Sequence, residues 1–82
     1  MVFLEVEVPV LGQVYDFKVE RKARVESIIS GMADQICQKE HCDLDGEEEN
    51  LLLWDMEQER ILPRDWLLEE CNIKTGTRLL LV

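Results

Sequence analysis

Proline and glycine are scarce in this chain, two and four among 82 residues. That shortage excludes a low-complexity or linker-like sequence. With 46% hydrophobic residues the chain has enough apolar groups to offset its conformational entropy, so a folded core is expected rather than disorder. Basic residues are outnumbered two to one, 9 Lys and Arg against 18 Asp and Glu, for a net charge of −9. Such a chain repels phosphate, which argues against nucleic-acid binding and against adsorption to an anionic membrane. No apolar run approaches the roughly 18 residues needed to cross a bilayer, so no direct membrane insertion is expected. The cysteines number three. An odd count cannot close a disulfide set, and a cytoplasmic, reducing compartment fits best. The opening residues carry Glu5 and Glu7 and no basic segment, unlike a signal peptide. Eighty-two residues are short even for one core, and a chain of this size buries only about 60% of its unfolded surface. A single domain over 1–82 is expected.

The apolar residues that are present are patterned. Val2, Leu4, Val6 and Val8 alternate with Phe3, Glu5 and Glu7, the period of a strand with one wet face. Pro9 ends regular pairing, Gly12 supplies a turn, and Tyr15, Phe17 and Val19 alternate with Asp16 and Lys18 in a second strand. The short connection makes an antiparallel hairpin. The period then changes. Val25, Ile28, Ile29, Met32, Ala33, Ile36 and Cys37 form one stripe on a helix over about 25–40. Its start has Ala23 and Arg24 where Ser or Asp would cap, so packing must hold it. Gly31 inside it costs about 1 kcal/mol against Ala, and a close contact is the one sequence-level reason for it. Leu51–Trp54 reads as a short strand, 56–59 as a polar turn, and Arg60–Leu62 as a brief strand ended by Pro63. Leu67, Leu68 and Cys71 suggest one helical turn. Thr75-Gly76 is a turn and Thr77–Val82 a closing strand.

One long amphipathic helix covers one face of one small sheet, which makes the fold class α+β with two layers. The helix is long enough to be the crossover to a parallel strand. Placing the closing strand beside the first gives a mixed sheet of four to five strands wrapped around the helix, the β-grasp arrangement.

The tail Leu68-Glu-Glu-Cys-Asn-Ile-Lys-Thr-Gly-Thr-Arg-Leu-Leu-Leu-Val82 resembles the ubiquitin-type ending: Leu, three residues, Asn-Ile, a turn, then an alternating strand. The opening hairpin and the stripe from Val25 to Met32 have matching spacing, so the resemblance covers nearly the whole chain at the level of pattern. Within the ubiquitin-like (β-grasp) superfamily the segment is most similar to YukD-like (EsaB-like) proteins, through Leu68, Cys71, Ile73, Gly76, Arg78 and Leu79. Those are accessory components of Gram-positive type VII (WXG-type) secretion systems. The resemblance implies a non-catalytic, cytoplasmic interaction module that docks on a larger, membrane-bound secretion component and is thereby recruited to the inner face of the membrane. A conjugated modifier or sulfur carrier needs a flexible tail ending in Gly-Gly, and this sequence ends in its closing strand at Val82. Conjugation is therefore not expected, the alternative being a modifier or sulfur carrier processed from a longer precursor.

The candidate chemistry is sparse. Cys37, His41 and Cys42 resemble part of a zinc site but lack a fourth ligand, and Cys37 also completes the core stripe. No metal and no cofactor is expected. A catalytic Cys71 would need a base and an orienting partner, and the lone His is not placed to supply them, so no catalytic residue is assigned. Asp43, Asp45, Glu47, Glu48 and Glu49 lack the spacing of a calcium loop and read as a solvated acidic loop, with a partner-facing patch as the functional alternative. Lys18, Arg21, Lys22 and Arg24 gather the local positive charge, read as charge balance or as a rim contact for an acidic partner segment. With Leu4, Val6, Phe17, Leu79 and Leu81 facing the helix, Phe3, Leu80 and Val82 face away. Alternation puts either Leu52 and Trp54 or Leu51 and Leu53 outside, and the first choice is taken. Phe3, Leu52, Trp54, Leu80 and Val82 then form an exposed apolar patch with Trp54 as anchor, the candidate protein-interaction surface. The alternative is that this face is covered by another part of the chain or by the mate in a homo-oligomer. Trp66, after Pro63, packs at the rim.

Overall fold

A computed structural model describes residues 1–40 and 50–82. Its elements are β1 (Val2–Val8), β2 (Gln13–Val19), α1 (Val25–Glu40), β3 (Leu53–Asp55), β4 (Arg60–Ile61), a 3₁₀ turn (Leu68–Cys71) and β5 (Arg78–Leu81). The strands form one sheet in the order β2-β1-β5-β3-β4. β1 and β2 are antiparallel, β1 and β5 are parallel, and β5-β3-β4 run antiparallel to one another. This mixed five-stranded sheet with one covering helix is the β-grasp arrangement expected from the sequence.

The core lies between the sheet and α1. Val2, Leu4, Val6 and Val8 from β1 meet Tyr15 and Phe17 from β2, Leu53 from β3, and Leu79 and Leu81 from β5. Val25, Ile28, Ile29, Met32, Ala33 and Ile36 close it from the helix. Leu62, Leu68, Cys71 and Ile73 fill its floor. Period-2 and period-3.6 patterns thus bury most of the residues they mark, with Val19 and Cys37 only partly buried.

Several details differ from the sequence expectation. The third strand is Leu53–Asp55, shifted from 51–54, although Leu52 and Val82 still exchange backbone hydrogen bonds of 2.7 and 2.9 Å beyond it. β4 ends at Ile61 and β5 covers 78–81 rather than 77–82. Cys37 is half-buried at the margin of the core rather than within it. A Cβ on Gly31 would meet nothing within 4 Å, so no close contact requires that glycine.

The uncapped start of α1 is resolved by tertiary structure. Val25 N–H donates to the Trp66 carbonyl at 2.9 Å, and Glu26 N–H to the Arg64 carbonyl at 3.0 Å. The loop after β4 therefore supplies acceptors that an N-cap side chain would otherwise provide. The same loop is tied back by Leu68 N–H to Ala23 and Glu69 N–H to Arg21, each 2.9 Å. The 3₁₀ turn ends at Asn72, whose φ of 57° lies in the left-handed region that Asn tolerates better than most residues.

Candidate interaction surface

Alternation along each strand sends one set of side chains away from α1. On β3, Leu53 and Asp55 are buried, so Leu52 and Trp54 lie on the outer face. On β5, Leu79 and Leu81 point inward and Leu80 outward, followed by Val82 on the same side. The pairing register brings these residues together. Trp54 lies opposite Leu80 on one side and opposite Ile61 on the other, at the cross-strand spacing of about 5 Å at which side chains pack. The Leu52–Val82 pair forms the next row. Ile61 and Val82 are 48% and 51% exposed, so the outer surface of this cluster is open among the described residues.

Phe3 does not join that cluster. Its carbonyl accepts the Gly76 N–H at 2.8 Å, whereas Leu80 pairs with Glu7. The four-residue offset along β1 is about 13 Å. Between them stands the Arg78–Glu5 ion pair at 2.8 Å. Phe3 instead lies under the Lys18 ammonium, 5.8 Å from the ring centre. Sequence reasoning also missed Ile61, which alternates with the buried Leu62. The signal was weak because a two-residue strand is too short to show a period.

The border of the cluster is charged. Glu7 lies opposite Leu80, and the hydrogen bond to Glu5 raises the Arg78 pKa above the usual guanidinium value. Beneath the cluster a buried polar network holds the β3–β4 turn. The fully buried Asp55 carboxylate accepts from Glu57 N–H at 2.9 Å, Gln58 N–H at 3.3 Å and the Gln58 side-chain amide at 2.8 Å. The Arg60 guanidinium and the Gln58 amide both donate to the Cys71 carbonyl. This network links the hairpin carrying Trp54 and Ile61 to the 3₁₀ turn below it.

The other sequence candidates are dispersed. Arg24 donates to the Asp65 carbonyl at 2.7 Å, Arg21 and Lys22 are exposed in the loop before α1, and Lys18 sits on the outer face of β2. Trp66 is 40% exposed. His41, Cys42 and the acidic loop 43–49 lie outside the described residues. Cys71 is buried, its thiol donates to the Leu67 carbonyl at 3.6 Å, and burial raises its pKa above 9.0. A thiol held neutral in this way is a poor nucleophile. Among the described residues no group of three His, Cys, Asp or Glu is placed to hold a metal, and no helix is long and apolar enough to cross a membrane.

No protein-family profile matches the sequence, and no curated protein matches it. Solved structures do. The N-terminal ubiquitin-like domain of the 4931431F19Rik protein superposes with a TM-score of 0.70 at 20% identity, covering 99% of this chain and 72% of that one. ATBAG1, solved in complex with HSP70, superposes with a TM-score of 0.75 at 8% identity, over 100% of this chain and 40% of that one. This chain thus spans well under half of that second structure. The shared architecture, across nearly every residue of this chain, is the ubiquitin-like β-grasp fold.

Proposed function

We propose that residues 1–82 act as one non-catalytic docking unit that binds a larger protein through the outer face of the sheet. The observation that carries this reading is the cluster of Leu52, Trp54, Ile61, Leu80 and Val82 on three adjacent strands, exposed on one side and rimmed by Arg78, Glu5 and Glu7. A contiguous apolar surface with a polar rim is the usual form of a protein interface, and an aromatic anchor at its centre concentrates the binding energy. Phe3 and Lys18 form a separate outlying contact. The resemblance of Leu68, Cys71, Ile73, Gly76, Arg78 and Leu79 to YukD-like proteins is what supports the further proposal that the partner belongs to a type VII secretion machine, with this chain in the cytoplasm and brought to the membrane by that partner.

Trp54→Ala tests the docking surface. Trp54 is half-buried on the outer face, so truncation should leave the circular-dichroism spectrum unchanged. It should abolish capture of type VII secretion components, identified by mass spectrometry, from native membranes. Capture equal to that of the unaltered protein would count against the docking face. Capture that is lost with Trp54→Ala but contains no secretion component would leave the face standing and remove the type VII assignment.

A further inference from the structure

We infer that two copies of this chain pair edge to edge through β2, in a single register fixed by Asp16 and Lys18. β2 is the terminal strand of the sheet and, at seven residues, the longer of its two edges. The hydrogen-bonding directions of that edge follow from β1. Glu5 N–H donates to the Thr77 carbonyl at 3.2 Å, and the Phe3 carbonyl accepts from Gly76 at 2.8 Å. Odd-numbered residues of β1 therefore turn their peptide groups toward β5, and even-numbered ones toward β2. The register Leu4 to Phe17 and Val6 to Tyr15 assigns the inward-bonding positions of β2 to Tyr15 and Phe17. The peptide N–H and C=O of Val14, Asp16 and Lys18 are left pointing out of the sheet. The helix does not close over them: a groove of about 370 Å³ opens between β2 and α1, lined by Val14, Tyr15, Asp16, Gln35 and Lys39 among others.

Among the described residues no strand pairs with this edge, and an open edge of this length is a template for another strand. The side chains select which strand. In a two-fold antiparallel pairing centred on Phe17, Asp16 of each copy lies opposite Lys18 of the other, and those two residues exchange both outward peptide hydrogen bonds. Tyr15 then lies opposite Val19 on the helix side. The neighbouring registers with the same facing put Asp16 against Asp16, or Lys18 against Lys18 with Asp16 against Glu20. Shifting by one residue would place apolar positions opposite charged ones. Of these registers only the Phe17-centred one joins opposite charges, and like charges directly opposite are destabilising.

Within one copy, Asp16 lies opposite Glu5 on β1, a like charge, and Glu5 is already bonded to Arg78. Among the described residues no cation forms an ion pair with Asp16. The Lys18 of a second copy supplies one. A closed two-fold contact of this kind makes one continuous ten-stranded sheet with both helices on the same side. It also leaves the Trp54 cluster free, at the far end of each sheet.

Sedimentation equilibrium on the full chain up to about 1 mM tests this. The unaltered protein should show a concentration-dependent dimer. Asp16→Lys and Lys18→Asp each place like charges at both pairs and should weaken it about tenfold or more. An equimolar mixture of the two variants makes every pair complementary again and should dimerise as the parent does. The doubly exchanged chain D16K/K18D should do the same. Both side chains are exposed, and recovery in the mixture excludes misfolding as the cause. A parent protein monomeric across that range, or a mixture that fails to recover, overturns the inference. Dimers indifferent to both reversals but lost in Trp54→Ala would place the contact on the outer face and overturn it equally.

Discussion

Asp55→Ala is the perturbation whose cost the structure specifies most fully. The Asp55 side chain is fully buried and accepts three hydrogen bonds, two from backbone N–H groups in the turn after β3 and one from the Gln58 amide. Alanine removes all three acceptors while the donors stay in place. At a net cost of about 1 kcal/mol for each lost bond, the domain should lose about 3 kcal/mol. That is a large share of the roughly 5–10 kcal/mol expected for a small domain. The melting temperature should fall by roughly 12–24 °C, at about 4–8 °C per kcal/mol for a domain of this length. Urea unfolding followed by circular dichroism would show the midpoint shift, with an unchanged slope if the native state keeps its compactness. Asp55→Asn keeps an oxygen for the two backbone donors but presents an amide to the Gln58 amide. It should recover about half of the loss. A cost below about 1 kcal/mol for Asp55→Ala would mean that water replaces the carboxylate, and the view that this network holds the Trp54 hairpin would fail.

Two further tests address single residues. Gly31→Ala should stabilise the protein by about 1 kcal/mol in thermal unfolding, because the added Cβ meets nothing within 4 Å and α1 gains helix propensity. An unchanged or lowered melting temperature would show that α1 is distorted there or covered by another group. In a Cys37→Ser/Cys42→Ser background, Cys71 should resist iodoacetamide at pH 8 under native conditions and react at the unfolding rate in urea. The same group should make stability depend on pH. Its folded pKa is raised by burial, so its stabilising contribution is complete below 9.0. It is lost as pH climbs from there through the folded value, because the unfolded chain releases the proton first. Rapid native labelling, or flat stability across that alkaline window, would contradict the burial of this thiol.

The sequence located β1, β2 and α1 to within a residue because each is long enough to show its period. Seven alternating positions or four turns of stripe leave little ambiguity about which face is buried. β3 and β4 were displaced because segments of three and two residues contain no full period, and because Asp55 is a polar residue of a type that favours turns. It is indeed a turn acceptor, but it is also the last residue of the strand and wholly buried. The choice of Leu52 and Trp54 for the outer face rested on alternation and matches their placement. The grouping of Phe3 with them did not, because strand alternation gives a residue's face and says nothing of its position along the neighbouring strand.

Local periodicity by itself determined which side chains enter the core, since the spacing of apolar residues repeats with the geometry of the element that carries them. Only the tertiary structure decided which exposed residues are neighbours. The offset of β5 against β1 separates Phe3 from Leu80, the pairing of β4 adds Ile61 beside Trp54, and the loop at 64–66 caps a helix whose own sequence offers no cap. Those outcomes depend on hydrogen-bond register between strands far apart in the chain, and register is set by the packing of the whole sheet against the helix rather than by any single segment.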